Sequence, residues 1–142
     1  MARRNVAQAV LRVLLGLVYL AAGVAHLRSP GVFLSITPAW VPWPEFVIAA
    51  TGVAEVLGAV ALVGVRPLRR AAAIGLALYA VCVYPANIKH ALDAIAAHGA
   101  DAWWPYHAPR LAFQPVFVWW ALFAGGVIDW PLRRRPAVAA GG

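Results

Sequence analysis

Six polar side chains that could do chemistry interrupt otherwise apolar stretches of the sequence. They are His26, Glu55, Asn87, His90, Arg110 and Gln114. A carboxyl group and an imidazole can hold or pass a proton, whereas amide and guanidinium groups can hydrogen-bond the oxygen atoms of a ligand. We therefore expect Glu55 and His26 to be the catalytic pair, and the other four side chains to bind a ligand.

The elements that position these side chains must be transmembrane helices. Of the 142 residues, 63% are hydrophobic and 12% are charged, and the mean hydropathy is +0.75. A soluble domain of this size could not bury so much apolar surface. The composition excludes an ordinary soluble enzyme and a disordered chain. The one cysteine, Cys82, excludes a domain held together by internal disulfides.

Four apolar stretches are long enough to be membrane spans, which need roughly 20 apolar residues each. We place them at about 6–27, 46–65, 71–87 and 111–128. They predict an all-α, polytopic four-helix bundle that forms a single membrane domain over residues 1–132. A disordered basic tail follows at 133–142. The first stretch could instead be a signal peptide, but it is long for one.

Two local features refine this outline. The third span could continue as a less apolar helix towards His98, with a kink where Pro85 removes a backbone donor. Pairs of small residues four positions apart, Ala54 with Gly58 and Ala71 with Gly75, suit close packing of helices in lipid. Arg12 interrupts the start of the first span, and we expect its guanidinium to reach the lipid headgroups.

The basic residues predict the orientation of the spans. The net charge is +7, and four spans place nine basic residues on one side and three on the other. Because basic loops stay inside, both termini should be cytoplasmic, in a multi-pass protein of the inner (plasma) membrane. The basic residues form short runs between apolar stretches rather than one soluble face, so we expect no nucleic acid as a partner.

The depths of the polar residues predict a pocket. Glu55 lies about 14 Å below the outer end of its span, at ~1.5 Å per residue, and the other polar groups lie at outer helix ends. We therefore expect an outward-opening pocket with Glu55 at its floor. Its walls and mouth would come from aromatic and aliphatic residues: Leu20, Tyr84, Phe113 and Phe117 in the wall, and Trp40, Trp43 and Trp104 at the mouth. The alternative is a filled core of interhelical hydrogen bonds.

Several segments, in order along the chain, resemble the DoxX-like family of small membrane proteins. The first is the stretch from Ala22 to His26, followed by Ile36–Pro44. Next come Gly52–Gly58, the Tyr84–Ile88 segment with His90, and Arg110-Leu111 with Gln114. The resemblance extends from about residue 10 to 128. It implies a four-helix membrane bundle associated with redox chemistry, because the family is similar to the small membrane subunit of thiosulfate:quinone oxidoreductase.

This resemblance makes a quinone-linked redox subunit the first functional hypothesis. His26, Asn87, His90 and Arg110 could donate hydrogen bonds to a quinone, Glu55 could carry the proton, and Tyr84 and Trp104 could stack on the ring. Some relatives that act on thiols carry cysteine pairs, which are absent here. We expect Cys82 to be an inert packing residue. The sequence has no flavin or dinucleotide motif, so electrons would come from a redox partner protein.

The alternative hypothesis is a non-enzymatic membrane scaffold or a lipid-binding partner of another protein. Membrane lipids are partners under either hypothesis, and a homo-oligomer is a further option. A third interpretation is haem ligation by His26 and His90, which lie at similar depth; we do not favour it. No metal site is predicted, since the four histidines lack the spacing of a zinc motif.

Overall fold

The computed structural model describes residues 2–132, except for the side chains of residues 2–4, 102 and 104. Every regular element in this part of the chain is a helix. The predicted all-α fold class is therefore confirmed. The predicted disordered tail at 133–142 lies outside the described residues.

The first half of the chain forms one short and two long helices: α1 (Ala2–Arg28), α2 (Pro30–Ile36) and α3 (Pro44–Gly64). Helices α2 and α3 both begin with proline, which suits the first turn because the N–H groups there have no helical partner. The sequence did not predict α2. It folds back so that it packs against both α1 and α3.

The third apolar stretch is interrupted near its C-terminal end. A 3₁₀ turn, Arg66–Leu68, leads into α4 (Arg69–Cys82), and α5 (Tyr84–His98) follows after Val83 alone. Pro85 has no N–H to give to the preceding turn, so the helix cannot run through this point unchanged. The kink predicted here is thus a full break between two helices.

The last helix, α6 (Ala108–Ala124), follows a 3₁₀ turn at Ala100–Ala102 and a π-helical turn at Trp103–His107. It starts and ends earlier than the predicted stretch at 111–128. Its end has a physical cause, since Gly126 has a φ of +72°, a left-handed conformation that stops a helix and favours glycine.

Three helical segments are long and apolar enough to cross a membrane: Asn5–Arg28, Pro44–Gly64 and Arg66–His98. Large aliphatic side chains point outward from each, such as Leu17 and Leu57, which are 58% and 62% exposed. Such a surface is costly in water but is well solvated by lipid. These helices therefore suit a membrane environment. At 17 residues, α6 is shorter than all three.

The core lies among four of the helices. Helix α1 packs against α3 and α6, and α4 also packs against α3 and α6. Small side chains dominate the buried cluster, which consists of Leu15, Tyr19, Ala59, Leu62, Ala73, Leu76, Ala77, Ala121 and Ala124. Helices in lipid associate by close packing, and small residues allow it.

The N-terminal half of α1 and the C-terminal half of α6 are joined by side-chain hydrogen bonds. Arg12 Nε donates to the carbonyl oxygen of Ala124 at 2.9 Å, and Trp120 Nε1 donates to that of Leu11 at 2.9 Å. The last carbonyls of α6 lack helical donors and attract a cation, which explains why Arg12 Nε bonds there. The expectation that the guanidinium reaches the lipid headgroups stays a prediction.

Candidate functional site

Two glycines place His26 against Glu55. Gly23 precedes His26 by one helical turn on α1, and Gly52 precedes Glu55 by one turn on α3. A Cβ atom on Gly23 would lie 2.7 Å from the carbonyl oxygen of Gly52, and one on Gly52 would lie 2.9 Å from Cβ of His26. The two backbones therefore cross in direct contact. This crossing brings the imidazole to the carboxylate.

The His26–Glu55 contact is close and buried. The residues are 9% and 3% exposed, and His26 Nδ1 lies 2.8 Å from Glu55 Oε2 and 3.0 Å from the carbonyl oxygen of Ala22. Because both neighbours are acceptors, the hydrogen-bond network assigns the ring proton to Nδ1. That N–H is directed at Ala22. Glu55 Oε2 is thus in contact with the ring but receives no aligned hydrogen bond from the described residues.

Three hydroxyl-bearing residues that the sequence did not single out surround the carboxylate: Tyr19, Thr51 and Tyr79. The Tyr79 hydroxyl interacts with both Glu55 and Thr51, and the Tyr19 ring meets the Tyr79 ring edge-on at 6.2 Å. The hydroxyl of Tyr19 donates to the carbonyl oxygen of Leu76 at 3.2 Å. A hydroxyl inside an apolar span needs a partner, and this was the signal that could have identified the two tyrosines.

Phe33 covers the other face of the imidazole. Its ring stacks on His26 with centroids 3.7 Å apart and planes at 22°. Phe33 lies on α2, the short helix that the sequence did not predict, so this neighbour could not be anticipated either. The imidazole is therefore held on three sides, by Phe33, by Glu55 and by its own helix.

A second polar group joins α6 to the break between α4 and α5. The break leaves the carbonyl oxygen of Ala80 without a helical donor, and Gln114 Nε2 donates to it. Gln114 Oε1 then accepts from Asn87 Nδ2 at 3.2 Å. Because a carbonyl can only accept, this chain fixes both amide orientations and leaves Asn87 Oδ1 as the free end.

A third group surrounds Arg110 at the start of α6. Arg110 Nη1 donates to His90 Nδ1 at 2.7 Å and to the Tyr106 hydroxyl at 3.3 Å. Because a guanidinium only donates, His90 Nδ1 is the acceptor. His107, which the sequence did not single out, is buried, and its ring packs edge-on against His90 and Tyr106. This aromatic cluster positions Arg110.

One cavity of about 380 Å³ connects the first two groups and reaches Arg110. It receives side chains from all six helices, and apolar residues form most of its wall. Five of the six polar residues singled out from the sequence line it, namely His26, Glu55, Asn87, Arg110 and Gln114, together with the expected Phe117 and Trp40. This volume is at the small end of the roughly 300–1,000 Å³ typical of ligand sites.

Other residues expected at the pocket do not line it. His90 supports Arg110 instead, and the Tyr84 hydroxyl donates to the carbonyl oxygen of Leu111 at 3.4 Å. Three further expected residues, Leu20, Trp43 and Phe113, face outward. The side chain of Trp104 lies outside the described part of the chain.

The expectation that Cys82 is a packing residue is wrong. Its side chain is exposed and also lines the cavity. Cys82 is the last residue of α4, where the helix breaks and the packing against it ends. The exposed thiol therefore marks a side of the cavity that is open towards the surface of the protein.

No group of three or more His, Cys, Asp or Glu side chains within residues 2–132 is placed to hold a metal ion. The cavity wall holds the His26–Glu55 pair instead, together with amides, hydroxyls, a thiol, an indole and a guanidinium. Such a set suits hydrogen bonding of an organic headgroup.

Comparison with known proteins gives one match. A family model described as a domain of unknown function (DUF8561) matches residues 15–125, which is more than half of the chain and includes every cavity residue. No curated protein matches, and no solved structure matches. The resemblance to DoxX-like proteins stays a prediction.

Proposed function

The chain belongs to the DUF8561 family, and from the geometry of its cavity we propose that it is a membrane protein that binds a quinone or a similar small lipid-soluble ligand. The observation that carries this proposal is an apolar cavity of about 380 Å³ with the His26–Glu55 pair in its wall. Ligand sites in helical bundles combine an apolar wall with a few convergent polar groups in this way.

The membrane architecture that we propose is a four-helix bundle with both termini in the cytoplasm. Three segments have the length and composition of spans, and α6 packs between α1 and α4 as the fourth. The nine-to-three distribution of basic residues supports this orientation in an inner (plasma) membrane. Residues 28–44, with Trp40 at the cavity, then face outward.

The role that we propose is that of a redox-associated subunit. A quinone ring fits the cavity volume and its apolar wall, while Glu55 and His26 are placed to hold a proton beside it. The chain supplies no flavin or dinucleotide motif, so a partner protein would exchange the electrons. Within this role, Asn87, Gln114 and Arg110 orient the headgroup.

Identification of the ligand tests the proposal. The protein is purified in mild detergent, and an organic extract is analysed by mass spectrometry. We expect a quinone or a related lipid in near-stoichiometric amount. Ala86 lines the cavity, so Ala86→Phe should fill it and abolish co-purification. Ala50, an exposed residue of α3 outside the cavity, provides the control variant Ala50→Phe, which should retain the ligand.

The second candidate is a non-enzymatic scaffold or lipid-binding partner. The observation that favours it is a set of exposed aromatic residues near the outer helix ends, with Trp40 and Trp43 72% and 77% exposed. Exposed tryptophans suit a protein interface as well as a lipid headgroup region. An extract that contains only bulk phospholipid, unchanged by Ala86→Phe, would favour this candidate over ligand binding.

A further inference from the structure

We propose that the cavity selects ligands whose headgroup donates a hydrogen bond, so that it binds the reduced, dihydroxy form of a quinone more tightly than the oxidised form. This inference rests on the proposed function, because it specifies which ligands the same cavity takes. It follows from the balance of donors and acceptors in the cavity wall.

The main acceptor is the Glu55 carboxylate. Glu55 lines the cavity and is 3% exposed, and its buried Oε2 receives no aligned hydrogen bond from the described residues. The nearest N–H, on His26 Nδ1, points at the carbonyl oxygen of Ala22. The Tyr79 hydroxyl lies near both Glu55 and Thr51, and no hydrogen bond from it reaches Oε2. A carboxylate with unused acceptor capacity gains when a ligand in the cavity supplies a donor.

A further acceptor is open in the cavity wall. Asn87, which lines the cavity, donates an amide hydrogen to Gln114 Oε1 and keeps its own Oδ1 as an acceptor.

The hydroxyl donors of the wall, by contrast, are already used. Tyr19 donates to the carbonyl oxygen of Leu76, Thr37 to that of Phe33 and Thr51 to that of Ile48. Arg110 is the cationic side chain in the wall, and it lies at the outer end, a helical turn before Gln114. Around Glu55 the wall therefore offers acceptors and few donors.

This balance distinguishes the two forms of a quinone. The oxidised form presents two carbonyl oxygens, which are acceptors and would face the Glu55 carboxylate unfavourably. The reduced form presents two hydroxyls, and one of them can donate to the carboxylate. A donor in this position replaces an unfavourable contact between two acceptors by a hydrogen bond, so we expect a preference of at least about tenfold for the reduced form.

The test compares ligands that differ only in this donor. The full chain is placed in nanodiscs of quinone-free phospholipid, and binding is measured by isothermal titration with empty nanodiscs subtracted. The first pair of probes is a decyl-benzoquinone and its dihydroxy form, kept anaerobic. The second pair, which has no redox chemistry, is para-decylphenol and its methyl ether. We expect the donor to bind more tightly in both pairs, by at least about tenfold.

A matched pair of variants locates the effect. Glu55→Gln replaces the acceptor by a group that can also donate, so the preference for the donor should fall to about onefold or invert. Glu45→Gln makes the same change at an exposed residue in the first turn of α3 and should leave the preference intact. The phenol and ether comparison in the wild-type protein needs no variant, so it stands even where Glu55→Gln folds poorly.

The outcomes separate this inference from the proposed function. Equal binding of both members of each pair would overturn donor selection and leave ligand binding standing. A preference that survives Glu55→Gln unchanged would also overturn it, because Glu55 would not be the acceptor. Absence of binding by all four probes would overturn the proposed function itself.

Discussion

Glu55 and His26 show how one pair of residues can be both structural and functional. The pair is buried where α1 and α3 cross, and each partner satisfies only part of the other: the imidazole proton serves Ala22, and one carboxylate oxygen is left open. A purely structural pair in an apolar protein would be expected to saturate its hydrogen bonds. A carboxylate with unsatisfied hydrogen-bonding capacity in a cavity wall is therefore the residue-scale feature that points to a ligand.

Replacement of the carboxylate tests its structural share. Glu55→Leu removes the polar neighbour of His26 and should lower the free energy of unfolding by about 1–3 kcal/mol. Glu55→Gln keeps an oxygen beside Nδ1 and should cost less. Thermal unfolding in detergent measures both, and Glu45→Leu, at an exposed position of the same helix, is the control. Equal stability of Glu55→Leu and wild type would show that the pair contributes nothing to the fold.

The Gln114 amide allows a similar test with an internal control. Gln114 serves the carbonyl oxygen that the α4–α5 break leaves free on Ala80, so Gln114→Leu should cost about 1–3 kcal/mol of unfolding free energy. Gln8 is equally buried, but its Nε2 has no partner among the described residues. Gln8→Leu should therefore cost little or stabilise the protein. Equal losses in urea or thermal unfolding would contradict the assignment.

The polar half of the site was predictable from the sequence, and the aromatic half was not. A polar residue within an apolar span usually faces the interior of the protein. For this reason Glu55, Asn87 and Gln114 could be predicted as site residues. A tyrosine or phenylalanine suits lipid, interface and core alike, so Tyr79 and Phe33 gave no clear signal. Cys82 was misjudged because its environment depends on where α4 breaks.

At the scale of elements, glycine position decides which helices touch. The spacing of small residues pointed to Ala54, Gly58, Ala71 and Gly75, yet a Cβ on Gly75 would meet nothing within 4 Å. Gly58 does pack closely, since a Cβ there would lie 2.7 Å from Leu76 Cδ2. The spacing did not point to Gly23 and Gly52, where two backbones come into direct contact. The spacing of small residues shows that one helix face lacks large side chains. Which face packs against a neighbouring helix depends on the whole packing arrangement.

Two identical substitutions separate these cases. Gly52→Ala places a Cβ against His26 Cβ and the Gly23 carbonyl oxygen, so it should push α1 from α3 and cost about 1–3 kcal/mol. Because the crossing also sets the His26–Glu55 contact, ligand binding should weaken as well. Gly75→Ala, at a position with open space, should be neutral or stabilising. Thermal unfolding and ligand titration check both, and a neutral Gly52→Ala would refute the close crossing.

At the scale of the whole molecule, hydropathy predicted the bounds of the first two apolar helices well, but it did not predict the bounds of the last helix. Apolar stretches near residues 6–27 and 46–65 correspond closely to the segments Asn5–Arg28 and Pro44–Gly64. The third and fourth depend on prolines and on turns whose backbone geometry the apolar pattern does not encode. Helix α6, for example, starts after a π-helical turn at Trp103–His107, and the apolar periodicity of the sequence does not predict such a turn.

The proposed topology is testable by labelling single cysteines in intact cells. In a Cys82→Ala background, Ser35→Cys should react with a membrane-impermeant maleimide, since Ser35 is exposed in α2 on the proposed outer side. Arg70→Cys, in the first turn of α4 on the inner side, should react only after the cells are permeabilised. The reverse pattern would invert the topology, and labelling of both sites in intact cells would contradict a fixed orientation.

The hydrogen bonds from Arg12 and Trp120 have a consequence for how the protein is made. They join the first helix to the last, so a ribosome must complete nearly the whole chain before either can form. Until then, the Arg12 guanidinium lies in an apolar helix without the Ala124 carbonyl oxygen that accepts its hydrogen bond in the folded protein. Helix α6 has 17 residues, fewer than any of the three segments long enough to cross a membrane, and it carries Pro115 in its interior. A cation already placed near its C-terminal end would therefore favour its insertion. Assembly would thus end when α6, the last of these helices to be synthesised, docks against α1, the first.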